Sequence, residues 1–282
     1  MIKRLADSHV HFWEPNLLSY KWLAELPSLN RPFLPKDLAQ AASNLPLDKI
    51  IFIQADCIPD DGLREVEWVC KLAADEPRIS AIVAFAPLEQ AHAGDYVSEL
   101  CRYPLVKGVR RLIQSESKSF AAQPDFVRGV QMLANFDLSF DICIRHKQLE
   151  AVIEMVRQCP DVHFVLDHAG KPGIKDQILE PWATNLRKLG KFPNVSCKLS
   201  GLVTEADLQD WSLSDLQPYI DQVLAVFGPG RVMFGGDWPV LELAANYPRW
   251  VDTSLLAIKD LSETEQDQIF YANACAFYRL DL

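Results

Sequence analysis

Long apolar runs are missing from this chain: no stretch approaches the roughly 20 residues that a bilayer-spanning helix needs, so no membrane span is expected. Its start, MIKRLADSHVHFWEP, brings charges and two histidines within a dozen positions and offers no apolar core of a signal peptide. Positive charge is scarce as well. The 28 Lys and Arg against 38 Asp and Glu leave a net charge of −10, and no basic run is longer than Arg110-Arg111. Such a surface has no electrostatic footprint for nucleic acid and disfavours an anionic membrane. Paired cysteine motifs are also lacking: the seven cysteines (57, 70, 101, 143, 159, 197 and 275) are scattered and form no CxxC. Neither a zinc knuckle nor a disulfide framework is indicated, and the cysteines read as small buried hydrophobes of a cytoplasmic protein. No GxGxxG follows the first strand candidate, and there is no low-complexity tract, repeat or linker.

What is present is 49% hydrophobic sequence over 282 residues, enough for one large domain spanning 1–282. Eight β-branched runs read as strands: Leu5–Val10, Ile50–Gln54, Ile79–Ala84, Val106–Arg110, Leu138–Ile142, His163–Asp167, Val195–Lys198 and Val232–Asp237. Several are apolar without alternation, the mark of parallel strands buried on both faces. Helical periodicity fills the gaps, as in Leu149, Val152, Ile153 and Val156. Eight strand–helix units in one chain predict an α/β fold of the closed (β/α)8 TIM-barrel kind. The Pro- and aromatic-rich segment from about Trp13 to Pro35 follows the first strand, so it either covers the mouth or packs on the rim.

Ionisable residues gather where strands end. His9 and His11 lie two apart and point the same way, towards the C-terminal face of a barrel, close enough to share a metal ion or a polarised oxygen. The strand Val232-Met233-Phe234 runs through Gly235-Gly236 to Asp237, and barrel closure puts that carboxylate beside the histidine pair. Asp167-His168 ends the sixth strand before a Gly-Lys-Pro turn. Strand alternation lets one of the two face the lumen; His168 is taken as that residue and Asp167 as its structural support. One of Arg110 and Arg111 is expected in the mouth as an anion partner, and Lys171 is either a substrate contact or a solvated turn lysine. Lys198 and His146 carry similar ambiguity, His146 as a further metal ligand. His92 and His163 are expected away from the chemistry.

Taken together and in order, His-x-His, "LDHAGKP", "CKLSGL" and "FGGDWPV" resemble the amidohydrolase-related metal-dependent hydrolases of TIM-barrel fold. The similar branch holds sugar-acid lactonases of the fuconolactonase and rhamnonolactonase types and 2-pyrone-4,6-dicarboxylate lactonase, and the resemblance runs from residue 5 to about 275. It implies a hydrolase in which Asp237 is the general base and His168 a catalytic partner. His9, His11 and Asp237 would hold at most one divalent ion, zinc or manganese, with metal-independent catalysis as the alternative. Trp13, Trp238, Arg110, Arg111 and Lys171 are the candidate contacts to a small-molecule lactone. Two departures stand out: no lysine ends the fourth strand to bridge two metals, and Gly236 replaces a serine common before the aspartate. A dicarboxylate lactonase, a decarboxylase of the same superfamily and a barrel that only binds a sugar acid are the other readings.

Overall fold

A computed structural model describes residues 2–281 except Ser43, so Met1, Ser43 and Leu282 of the expected 1–282 domain lie outside the described residues. Eight parallel strands pair in sequence order: β1 (Leu5–Val10), β2 (Leu47–Ile53), β3 (Ile79–Ala84), β4 (Val106–Val109), β5 (Ser139–Ile142), β6 (Phe164–Leu166), β7 (Val195–Leu199) and β8 (Val232–Phe234). A helix follows each one, from α1 (Pro35–Ala41), α2 (Gly62–Asp75), α3 (Ala93–Leu100) and α4 (Pro124–Met132) through α5 (Leu149–Gln158), α6 (Trp182–Leu189), α7 (Leu213–Phe227) and α8 (Tyr247–Ala257). The chain is a (β/α)8 barrel. Its seam closes just past β8, where a parallel bridge joins Val10 to Trp238 and the backbone bonds His11 N to Trp238 O and Asp237 N to His9 O are each 2.8 Å.

Alternation sorts each strand into two faces. On β5, Phe140 and Ile142 pack outward against the helices while Ser139 and Asp141 turn inward. An inner layer of Ala6, Ile51, Ile53, Ala81, Val83, Val165 and Met233 meets Tyr271, Ala274, Cys275 and Tyr278 from the C-terminal segment, which contains α9 (Glu263–Asp267) and α10 (Asn273–Phe277). Burying each large side chain is worth about 1.5–3 kcal/mol, so this plug holds the barrel floor firmly. The strands β6 and β8 are shorter than their apolar runs suggest, because the chain turns into left-handed backbone at His168 and Asp237. No described helix is long and apolar enough to cross a membrane.

Candidate active site

The strand ends aim a dense set of ionisable groups at one point. From β1, His9 and His11 bring their Nε2 atoms to 3.2 Å, and both face the Asp237 carboxylate, at 3.7 and 3.5 Å respectively. His168 stacks obliquely on His9 with ring centroids 4.4 Å apart. Each imidazole is anchored through Nδ1: His11 to the Ile53 carbonyl at 2.7 Å, His168 to Ser200 Oγ at 2.9 Å and His9 to Asp167 Oδ1 at 3.3 Å. With Nδ1–H donated outward by His9 and His11, their Nε2 lone pairs face one another and the cavity.

Beneath lies a buried network. Lys198 of β7 donates to Asp141 Oδ2 at 2.5 Å and reaches Asp167 Oδ1 at 3.0 Å; Tyr278 donates to the same Asp141 oxygen at 2.7 Å. Arg110, 4% exposed, sits with Nη1 3.3 Å from both His9 Nε2 and Asp167 Oδ2 and donates through Nη2 to the Gln54 carbonyl. Asp7 ties the two sides of the seam by accepting from Gly236 N, His9 N and Tyr247 Oη at 2.7–2.9 Å. A Cβ on Gly236 would meet Asp7 and Tyr247, so the serine expected from the resemblance would crowd this seam.

Burial lowers His9 and His11 below the ordinary histidine value and His168 to about 4. Burial by itself would raise the Asp237 carboxyl, but the surrounding imidazoles reverse it and hold it well below the usual range. Asp167 is likewise held low, burial being outweighed by Lys198, His9 and Arg110. At neutral pH the centre is therefore a carboxylate facing neutral imidazoles, the ionisation state a metal requires of its ligands. The donor set fits a divalent ion: ligand atoms of His9, His168 and Asp237 lie within 4.8 Å of one another, with His11 beside two of them. Three nitrogens and one oxygen suit zinc. Charge agrees, since four interior carboxylates (Asp7, Asp141, Asp167, Asp237) face two fixed cations, Arg110 and Lys198.

The amidohydrolase family matches residues 6–280, nearly the whole chain. The protein is an amidohydrolase. Among its relatives, L-fucono-1,5-lactonase of Burkholderia multivorans is 37% identical over 271 residues, covering 89% of this chain and 90% of the relative. L-fucono-1,5-lactonase of Burkholderia ambifaria is 29% identical over 281 residues, covering 98% and 95%. A crystal structure of an amidohydrolase from Burkholderia multivorans with bound zinc superposes with a TM-score of 0.90 at 34% identity, over 99% of this chain and all of that one.

In this amidohydrolase the centre opens into a cavity of about 230 Å³ lined by His11, Asp56, Arg110, His168, Lys171 and Asp237 together with neutral groups. The segment after β1 does both things considered for it. Leu18, Tyr20, Leu23, Leu29 and Phe33 pack into the core, while Trp22 and Leu26 face the cavity. Trp13 is a correction: it is fully buried, and its indole N–H is taken by the carbonyls of Leu29 and Arg31, so Trp22 faces the cavity in its place. Trp238 is corrected too, packed between Phe12 and Phe33 with its N–H on Glu242. Arg111 alternates outward from Arg110, pairs with Glu89 and Glu116, and lies outside the cavity. Strand parity misassigned β6: Val165 and Asp167 point inward by alternation, and His168 joins them because its φ of 53° turns the chain back. Lys171 donates to Gln114 at 2.6 Å on the cavity rim, whereas His146 bonds the Lys171 carbonyl and lines a neighbouring cleft. His92 and His163 are exposed. Sequence reasoning passed over Asp141, Cys143 and Gln114; the alternating Ser139, Asp141, Cys143 against Phe140, Ile142, Ile144 was the available signal.

Proposed function

We propose that this amidohydrolase, acting as one barrel domain, opens the ring of a sugar-acid lactone by water attack. The observation that carries the reading is the Asp237 carboxylate within 3.7 Å of two imidazole Nε2 atoms, in a cavity sized for a small molecule. The neighbouring imidazoles favour the ionised form of Asp237, which can accept the proton as the new C–O bond forms. Its acidity then favours passing that proton to the alkoxide that leaves as the ring opens. The site on His9, His11, His168 and Asp237, when it holds a divalent ion, supplies Lewis acidity to the carbonyl oxygen. The imidazoles orient water and carbonyl around that point, and the Asp167–Lys198 network beneath keeps His9 aimed at them.

Two of the curated relatives bear the name L-fucono-1,5-lactonase, which supports a sugar lactone as the substrate class. The lining favours a polyhydroxylated molecule over a dicarboxylate: Arg111 is paired elsewhere, and Trp22, Gln114 and Thr204 offer a stacking face and neutral polar groups. Screening 1,4- and 1,5-aldonolactones for acid release, with and without chelator, tests this. At least one should be hydrolysed with kcat/KM of roughly 10⁴ M⁻¹s⁻¹ or more. Rates equal to buffer across the whole panel would overturn the reading.

A further inference from the structure

Arg110 stands in an unusual relation to the candidate metal ligands. A guanidinium has no acceptor, so its Nη1, 3.3 Å from His9 Nε2, meets that nitrogen only by donating to its lone pair. The same lone pair is the one His9 would give to a divalent ion. The side chain is held there: Nη2 is fixed by the Gln54 carbonyl, the second hydrogen of Nη1 points to Asp167 Oδ2, and the group is 4% exposed while lining the cavity. Its Nε has no partner, so nothing on that side holds the fork rigidly.

We propose that Arg110 is a resident cation that competes with a divalent ion for His9 and, with no ion bound, supplies the positive charge facing the lactone carbonyl. Guanidinium stays charged at every working pH, and at a few ångströms it repels an incoming cation. Donors fixed where an oxyanion develops act without reorganisation, so the barrel carries its own electrophile. The metal half stands on geometry alone; the catalytic half rests on the lactonase reading.

The test measures zinc affinity of chelator-stripped protein by competition with a chromophoric chelator, for wild type, Arg110→Met and Arg110→Lys. Arg110→Met should bind zinc at least tenfold more tightly, and Arg110→Lys, which keeps a charge but loses the planar fork, should fall between. Unchanged or weaker affinity in an Arg110→Met protein that still melts cooperatively would overturn the proposal. Should Arg110→Met not fold, Arg110→Lys decides: tightening of threefold or more supports competition, and no tightening refutes it. In the second arm, stripped wild type should retain measurable lactone hydrolysis that Arg110→Met lowers at least 100-fold. Stripped wild type that is inactive, while the zinc-loaded enzyme works, removes the catalytic half. Wild type that hydrolyses no lactone in either the stripped or the loaded form instead refutes the functional reading and leaves the zinc titration to decide the competition.

Discussion

His168 and Asp237 both adopt left-handed backbone, with φ of 53° and 54°. A non-glycine residue there costs on the order of 1 kcal/mol or more, and it persists only where its surroundings over-determine it. Asp237 meets that condition: its N–H is bound by the His9 carbonyl and its own carbonyl by Leu241 N–H. Replacing it with Asn keeps the shape and removes the proton acceptor. Steady-state kinetics of Asp237→Asn should show kcat lowered by roughly 10²–10⁴ with the melting temperature within a few degrees of wild type. Activity within a few-fold of wild type would dismiss Asp237 as the base. Gly236 is constrained from the other side, because any Cβ meets Asp7 and Tyr247. Gly236→Ser, the residue expected from the resemblance, should lose about 1–3 kcal/mol in urea unfolding, and an unchanged midpoint would show that the seam relaxes freely. Lys198→Met leaves Asp141 and Asp167 buried without their ammonium, and a loss of about 3–5 kcal/mol is expected in the same assay.

At the scale of elements, the segment after β1 is pinned to α2 and to the loop between β2 and α2 by specific bonds. Tyr20 Oη and Ala55 N both donate to Glu65 Oε1 at 3.2 Å, Ser19 N donates to Asp61, and Trp22 Nε1 donates to the Ala55 carbonyl. Burial raises the Glu65 carboxyl to about 7, against 4.5 for an ordinary glutamate, although Ala55 N–H and Tyr20 pull the other way. Between those values the folded protein keeps a proton that the unfolded chain has released. The native state therefore binds more protons, and the Glu65 contribution to stability falls as pH rises through that window. Glu65→Gln has no such dependence. The stability difference between wild type and Glu65→Gln should shift against wild type by on the order of 3 kcal/mol from pH 4.5 to 7.5, measured by urea unfolding at each pH. A difference that stays flat would place Glu65 in an ordinary ionised state.

For the whole molecule, the charge inside the barrel matters most. Four carboxylates against Arg110 and Lys198 leave an excess of two negative charges around the His9–Asp237 centre. A divalent ion that binds only the folded state adds about 2.7 kcal/mol at a free concentration 100 times its Kd, so chelation should lower the melting temperature by several degrees. Elemental analysis of dialysed protein should find no more than one equivalent, since Arg110 stands where β4 ends and no lysine offers a bridge there. Two retained equivalents, with activity following the second, would mean that a bridging ligand exists elsewhere in the barrel.

The alternation of apolar runs and amphipathic segments determined the eight-stranded barrel, because each pattern leaves one way to bury its apolar face. Strand parity likewise determined that His9 and His11 share a face, and the closing of β8 on β1 that Asp237 would reach them. Parity also separated Arg110 from Arg111, although that reading had been left open. What parity misjudged was the end of β6, where a left-handed turn after Asp167 returns His168 to the cavity and lets both residues point inward. Only the tertiary structure decided which aromatic faces the cavity. Trp13, Trp22 and Trp238 have the same chemistry in sequence, but the indole N–H groups of Trp13 and Trp238 find partners inside the packed rim, while the Trp22 ring is left at the opening. The partners of Lys198 were equally beyond sequence: Asp141 of β5 and Asp167 just past β6 meet it only because a closed barrel points their inward positions at one axis.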